Sequence, residues 1–264
     1  MFIDIHTHAF HPKIAHKAVE HLNNYYAVSC AGDGTVNDLL AREKKAGIDH
    51  CVVLCAATQA AQVIPANNYA IMLQQEHPEI IAFGTLHPAF TEWEKQLHSL
   101  KAAGIKGIKL HPDFQGFWLN DPRLLPMFEQ AQDDFVFEIH IGDYLPPEQN
   151  PSCPYKAAAL LDAFPRLRLI AAHMGGYQQW THALKALAGR DVWLDTSSTT
   201  SFIEQGLMQQ LLDKHPRERI LFGSDYPLYD PSEELYRLQA MTKFSDAELE
   251  EIMSNAQGLL GMET

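Results

Sequence analysis

The chain opens with "MFIDIHTHAFHP", residues 1–12, a stretch in which an apolar run ends on two histidines one residue apart. Phe2, Ile3 and Ile5 make an extended segment, and in a strand residues two apart point the same way. His6 and His8 then share a face. Imidazoles at that spacing can converge on one ion, with metal–nitrogen bonds of about 2.0–2.1 Å. Two unconnected surface or core histidines would have the same spacing, so other residues must decide.

Seven further apolar runs follow: "HCVVLCAA" (50–57), "IIAFGTLHP" (80–88), "GIKGIKLHP" (104–112), "DFVFEIHIGD" (134–143), "LRLIAAHMGG" (167–176), "DVWLDTSS" (191–198) and "RILFGSDYP" (219–227). Between them lie helix-like stretches such as "TVNDLLAREKKAG" (35–47), "TEWEKQLHSLKAAG" (91–104), "DPRLLPMFEQAQ" (121–132) and "SFIEQGLMQQLLDKH" (201–215). Several have Asp, Thr or Ser near the start and Gly near the end, as capping requires. Strand alternating with helix predicts a parallel sheet with right-handed crossovers. Eight such units in 264 residues predict an α/β (β/α)8 TIM barrel forming one domain over 1–264, with a doubly wound open sheet as the alternative.

Two segments stand outside the repeat. Residues 9–34 are long for a βα connection, usually about 2–6 residues, and are expected to form an inserted lid or pocket wall after the first strand. The tail "SDAELEEIMSNAQGLLG" (245–261) begins with a Ser/Asp cap and carries helical spacing through Leu249, Ile252, Met253, Ala256 and Leu260. It reads as a C-terminal closing helix without chemistry.

Composition narrows the partners. With 46% hydrophobic and 20% charged residues the chain is ordinary for a soluble domain. No apolar stretch approaches the roughly 18 residues needed to span a bilayer. No signal-peptide pattern is read at the start, so a cytoplasmic location is the default expectation. A net charge of −13 argues against nucleic acid, which needs a basic face. Cys51 and Cys55, if on one strand, sit roughly 13 Å apart, too far for a disulfide. Reduced thiols are expected.

Ionisable residues gather where the apolar runs end: His6 and His8, His87, Lys109 and His111, His140, His173 and Asp225. In a barrel these ends form one rim, where such folds place their active sites. His87 and Asp143 are rim candidates only. Asp4 is expected on the inward face with His6, as a structural group or an acceptor for an imidazole proton. Met174, Gly175 and Gly176 are expected to shape the turn after the sixth strand. His50, His77 and His215 fall near strand starts or helix ends and read as solvated residues.

"DIHTH", "IHIGD", "AHMGG" and "FGSDYP", in that order and on those strands, resemble the amidohydrolase superfamily, and within it the amidohydrolase-related branch of metal-dependent hydrolases and decarboxylases. "SNAQGLLG" is similar to that branch's ending. The opening alone would also suit histidinol-phosphatase-like hydrolases or TatD-type nucleases. The latter bring a glutamate at the fourth strand, where this chain has "IKLHP".

The resemblance implies His6, His8, His140 and Asp225 as ligands of a divalent metal, most suited to zinc, with manganese or iron as alternatives. It implies His173 as general acid/base beside one metal, or as ligand to a second metal if Lys109 is carboxylated. The single metal is the favoured expectation. Asp225 is a second candidate for proton transfer. Lys109 and His111 would face the substrate and hold a carboxylate, unless Lys109 merely pairs with a buried acid such as Glu138. The implied activity is hydrolysis of a small amide, ester or lactone by a metal-activated water. The alternatives are non-oxidative decarboxylation or hydration of an aromatic or unsaturated acid, and, from another class, a non-catalytic binding barrel. A small-molecule partner is expected, and a homo-oligomer is left open.

Overall fold

The computed structural model describes residues 1–262, and in it all eight apolar runs are strands of one parallel sheet in sequential order. The strands are β1 Ile3–Thr7, β2 His50–Leu54, β3 Ile80–Thr85, β4 Gly107–Leu110, β5 Val136–Ile139, β6 Arg168–Ala171, β7 Trp193–Asp195 and β8 Ile220–Leu221. Backbone bonds from Ile5 N to Phe222 O (2.9 Å) and His8 N to Tyr226 O (2.7 Å) bring β8 back against β1. This is the expected (β/α)8 barrel.

Around it run α1 Ala15–Tyr26, α2 Val36–Ala46, α3 Val63–Glu76, α4 Trp93–Ala102, α5 Pro112–Gln115, α6 Leu125–Ala131, α7 Pro154–Ala163, α8 Trp180–Ala186, α9 Gln205–Lys214, α10 Pro231–Thr242, α11 Asp246–Ser254 and α12 Ala256–Leu260. Among the described residues no helix is long and apolar enough to cross a membrane. All four cysteines carry free thiols.

The strands read as near-continuous apolar runs because both of their faces are buried. One face packs into the barrel, where Ile3, Ile5, Val52, Phe83, Val136 and Leu221 meet. The other, including Val53, Ala82, Ile108, Phe137 and Leu169, packs against the surrounding helices. Gly107 points inward, and a Cβ there would collide with the Phe83 ring, so only glycine fits beside that phenyl group. Ala256, Leu259 and Leu260 of α12 join the interior cluster, and with the starts of β5 and β6 they form the floor of the barrel. The tail thus closes the end opposite the rim.

That tail is two helices rather than the expected one. Its start is as expected: Ser245 and Glu248 form a reciprocal capping box at α11. The helix is interrupted at Asn255, whose side-chain amide donates to Arg217 O and Ile220 O, both at 2.8 Å, and so ties the break to the start of β8.

A second correction concerns Asp4. Ile3 and Ile5 both pack inside the barrel, so Asp4 between them faces outward, toward Glu43 of α2. The pairing of β1 with β2 then slips by one residue between Asp4 and Thr7. Such a bulge re-aims the side chains beyond it. It is what turns His6 and His8 back toward the barrel axis. Asp4 Oδ1 instead accepts backbone bonds from His6 N (3.0 Å) and Ser224 N (3.1 Å), clasping β1 to the segment after β8.

His215, expected to be solvated, is buried. Its Nε2–H donates to Val192 O at 3.0 Å, and its Nδ1 accepts from Gly189 N at 3.1 Å. Burial, above all, lowers its pKa from the ordinary 6.5 to about 4. Between these values the unfolded chain binds the proton more readily, so stability falls as pH drops from 6.5 toward 4. The expected loss is on the order of 3 kcal/mol, from about 1.4 kcal/mol for each tenfold change in proton affinity. Urea unfolding of the wild type and His215→Gln across that interval should show a flatter pH dependence in the variant. Identical slopes would contradict it.

Candidate active site

At the rim, β1 and the segment after β8 bring three donor atoms together. His6 Nε2 lies 3.6 Å and His8 Nε2 3.5 Å from Asp225 Oδ1, and all three atoms fall within 4.8 Å of one another. Asp225 is held there by a left-handed backbone (φ 63°), a conformation open to aspartate and asparagine more than to most residues. His8 Nδ1 faces the Leu54 carbonyl at 3.1 Å, and a carbonyl can only accept. The ring hydrogen therefore sits on Nδ1, leaving the Nε2 lone pair for the cluster. His6 is oriented the same way: Nδ1–H donates to Asp195 Oδ2 at 3.2 Å, while Glu138 Oε1 makes ion-pair contact with that nitrogen at 2.7 Å.

Two lone pairs and a carboxylate oxygen aimed at one point require positive charge. Acidic groups also surround His6. Burial and Lys109 both oppose a charged imidazole there, yet Glu138, Asp195 and Asp225 outweigh them and lift its pKa to about 10. Burial likewise disfavours ionised Asp225, but His6 and His8 hold its carboxyl well below the usual range. A divalent cation fits this donor set, in which imidazoles are fixed by hydrogen bonds on their far nitrogens.

His140 borders the same cavity but is not one of the three converging donors. Its Nε2–H donates to Gly142 O at 3.0 Å, and its Nδ1 meets His173 Nε2 at 2.8 Å. His140 also stacks on His111 (centroids 3.8 Å apart), which stacks in turn on Phe114 (4.2 Å). These three rings make one wall. His111 Nδ1 accepts from Phe114 N at 3.3 Å, capping the single turn of α5. Burial and nearby positive groups keep His111 and His140 neutral.

His173 lies at the head of the turn after β6, where His173, Met174 and Gly175 all have positive φ. Its Nδ1 is 2.9 Å from Ser197 Oγ. Burial and the charge on His6 push its pKa down to about 4. Lys109 is fully buried, its Nζ 3.5 Å from Glu138 Oε1 on the adjacent strand and 3.4 Å from His6 Nε2. The pairing with Glu138 considered from the sequence is thus present. The other rim candidates serve the scaffold: His87 bonds to the backbone of Gln115 and Ala89, and Asp143 caps its own loop through Tyr144 N.

Asp195 escapes the sequence reading. Its Oδ1 accepts from His173 N (3.2 Å), Ser197 N (2.9 Å) and the Ser197 hydroxyl, while Oδ2 takes His6. Although burial opposes it, His6 holds its carboxyl down at about 2. Its position at the end of "VWLD" follows the same strand-end rule as the histidines and could have revealed it.

The insertion after β1 supplies the outer wall of a cavity of about 570 Å³ above these groups. Gly34 N donates to the Tyr226 hydroxyl (3.2 Å) and Gly32 N to Pro227 O (3.0 Å), fastening the insertion to the segment that carries Asp225. Its expected role as a pocket wall is met by α1.

Solved structures share this architecture. A 2,6-dihydroxybenzoate decarboxylase from Rhizobium superposes with a TM-score of 0.72 at 16% identity, covering 100% of this chain and 99% of that one. A probable 2-pyrone-4,6-dicarboxylic acid hydrolase from Acinetobacter baumannii gives 0.70 at 19% identity, covering 98% and 99%. A 4-oxalomesaconate hydratase from Rhodopseudomonas palustris gives 0.67 at 18%, covering 99% and 96%. At these identities the likeness concerns the fold. Residues 3–261 match the family described as Amidohydrolase, nearly the whole length, and the chain belongs to that family.

Proposed function

We propose that this amidohydrolase-family protein is a metal-dependent hydrolase of small carbonyl compounds, with one divalent cation, zinc by preference, held by His6, His8 and Asp225. The observation that carries this is the convergence of His6 Nε2, His8 Nε2 and Asp225 Oδ1 at the base of a 570 Å³ cavity. Such a cation supplies Lewis acidity toward a carbonyl oxygen and lowers the pKa of water beside it. His140 completes the donor set if its ring leaves Gly142 O. Asp225, kept ionised, accepts the proton of the attacking water. His173, neutral at pH 7, can take up that proton and deliver it to the leaving group. A single metal is supported by Lys109: carboxylating its amine would place a second anion beside Glu138, now 3.5 Å from it. Lys109 and His111 are the proposed contacts for a substrate carboxylate.

Non-oxidative decarboxylation is the second reading, favoured by the flat wall of Phe114, His111 and His140, which suits a planar ring. The Rhizobium relative in fold is named for decarboxylating such a ring acid. Zinc-loaded protein should be offered lactones and amides beside hydroxylated aromatic acids. Proton release on ring opening is the expected result; carbon dioxide from the acids without lactone turnover would replace hydrolysis by the second reading.

A further inference from the structure

The cavity extends well beyond the donor cluster, and its upper part is a slot between two helices. Ile14, Ala18 and Leu22 recur every four residues along α1 and its lead-in and line the cavity. From α3, Pro65, Ala66 and Tyr69 line it too, Tyr69 standing four residues from Pro65 and three from Ala66. Ile14 is 53% exposed, so core packing does not account for its apolar character. The smallest of these side chains, Ala18 and Ala66, are only partly buried. The volume lies inside the range of roughly 300–1,000 Å³ that encloses drug-sized ligands, more than a single-ring acid requires.

From this we infer that the slot between α1 and α3 receives an apolar body of the substrate, and that Ala18 and Ala66 set its width. The substrate class is then a carboxylate or carbonyl compound bearing a medium-length alkyl or aryl extension. The head group meets His6, His8, Lys109 and Asp225, while the extension lies between the two helix faces. This inference rests on the proposed metal site for the head group only.

Isothermal titration of zinc-loaded protein with straight-chain carboxylates from butanoate to decanoate tests it. Affinity should rise about threefold to fourfold per methylene, the increment for burying one CH₂, until the slot is filled. Ala18→Phe and Ala66→Phe should weaken decanoate binding at least tenfold and leave butanoate within twofold, which also reports that the variants fold. A flat dependence on chain length, or equal losses for both acids, would overturn the inference. In Asp225→Asn the head-group contribution should fall equally at every length while the increment per methylene persists. Zinc content and butanoate affinity unchanged in that variant would overturn the metal site and leave the slot standing.

Discussion

Asp225→Asn is expected to strip the metal from the protein and abolish turnover with it. Asp225 Oδ1 is the anionic member of the donor cluster, 3.6 Å and 3.5 Å from two imidazole nitrogens. Asparagine keeps the shape, tolerates the left-handed backbone at φ 63°, and can still accept from Ser198 Oγ, the partner of Oδ2. The substitution therefore tests charge at the site with little demand on folding. Loss of a supporting residue behind a ligand already costs roughly 10–100-fold in metal affinity, so loss of the anionic ligand should exceed that. Competition titration with a chelating dye and metal analysis of the purified variant would measure it. One zinc per chain at wild-type affinity would sink the assignment.

His173→Asn should produce the opposite split, with metal retained and kcat reduced by about 10²–10⁴, the usual contribution of a positioned proton carrier. Its Nε2 points at His140 rather than at the three converging donors, so removing it leaves the cluster intact. Here too asparagine suits the positive φ of 60°. Because the ring does not carry the substrate, KM should move little. If zinc is lost together with turnover, His173 is a ligand and the single-metal account fails.

Much of this site is legible in the sequence because the strand-end rule is local. An apolar run that ends on His, Lys or Asp announces a rim residue wherever the run sits in the barrel, and His6, His8, Lys109, His111, His140, His173 and Asp225 all border the one cavity. Asp195 obeys the rule too, but a lone aspartate before "TSS" carries no chemistry of its own until His6 is seen against it. Asp4 fails for a different reason. Period-two alternation places it beside His6, and only a slip in pairing with β2, where Asp4 meets Cys51 but Thr7 meets Val53, reverses its face.

The amino-acid sequence by itself determined a parallel sheet wrapped by helices, the arrangement that buries eight apolar runs on both faces, while the closure of β8 onto β1 decided for a barrel over an open sheet. It also determined which residues reach the rim. The tertiary structure alone decided which ring nitrogen is free, since Leu54 O, Asp195 and Gly142 O orient the imidazoles from other strands and loops. It alone decided that α1 and α3 line one cavity. Both depend on where distant segments come to rest once the sheet closes, and no pattern confined to neighbouring residues contains that information.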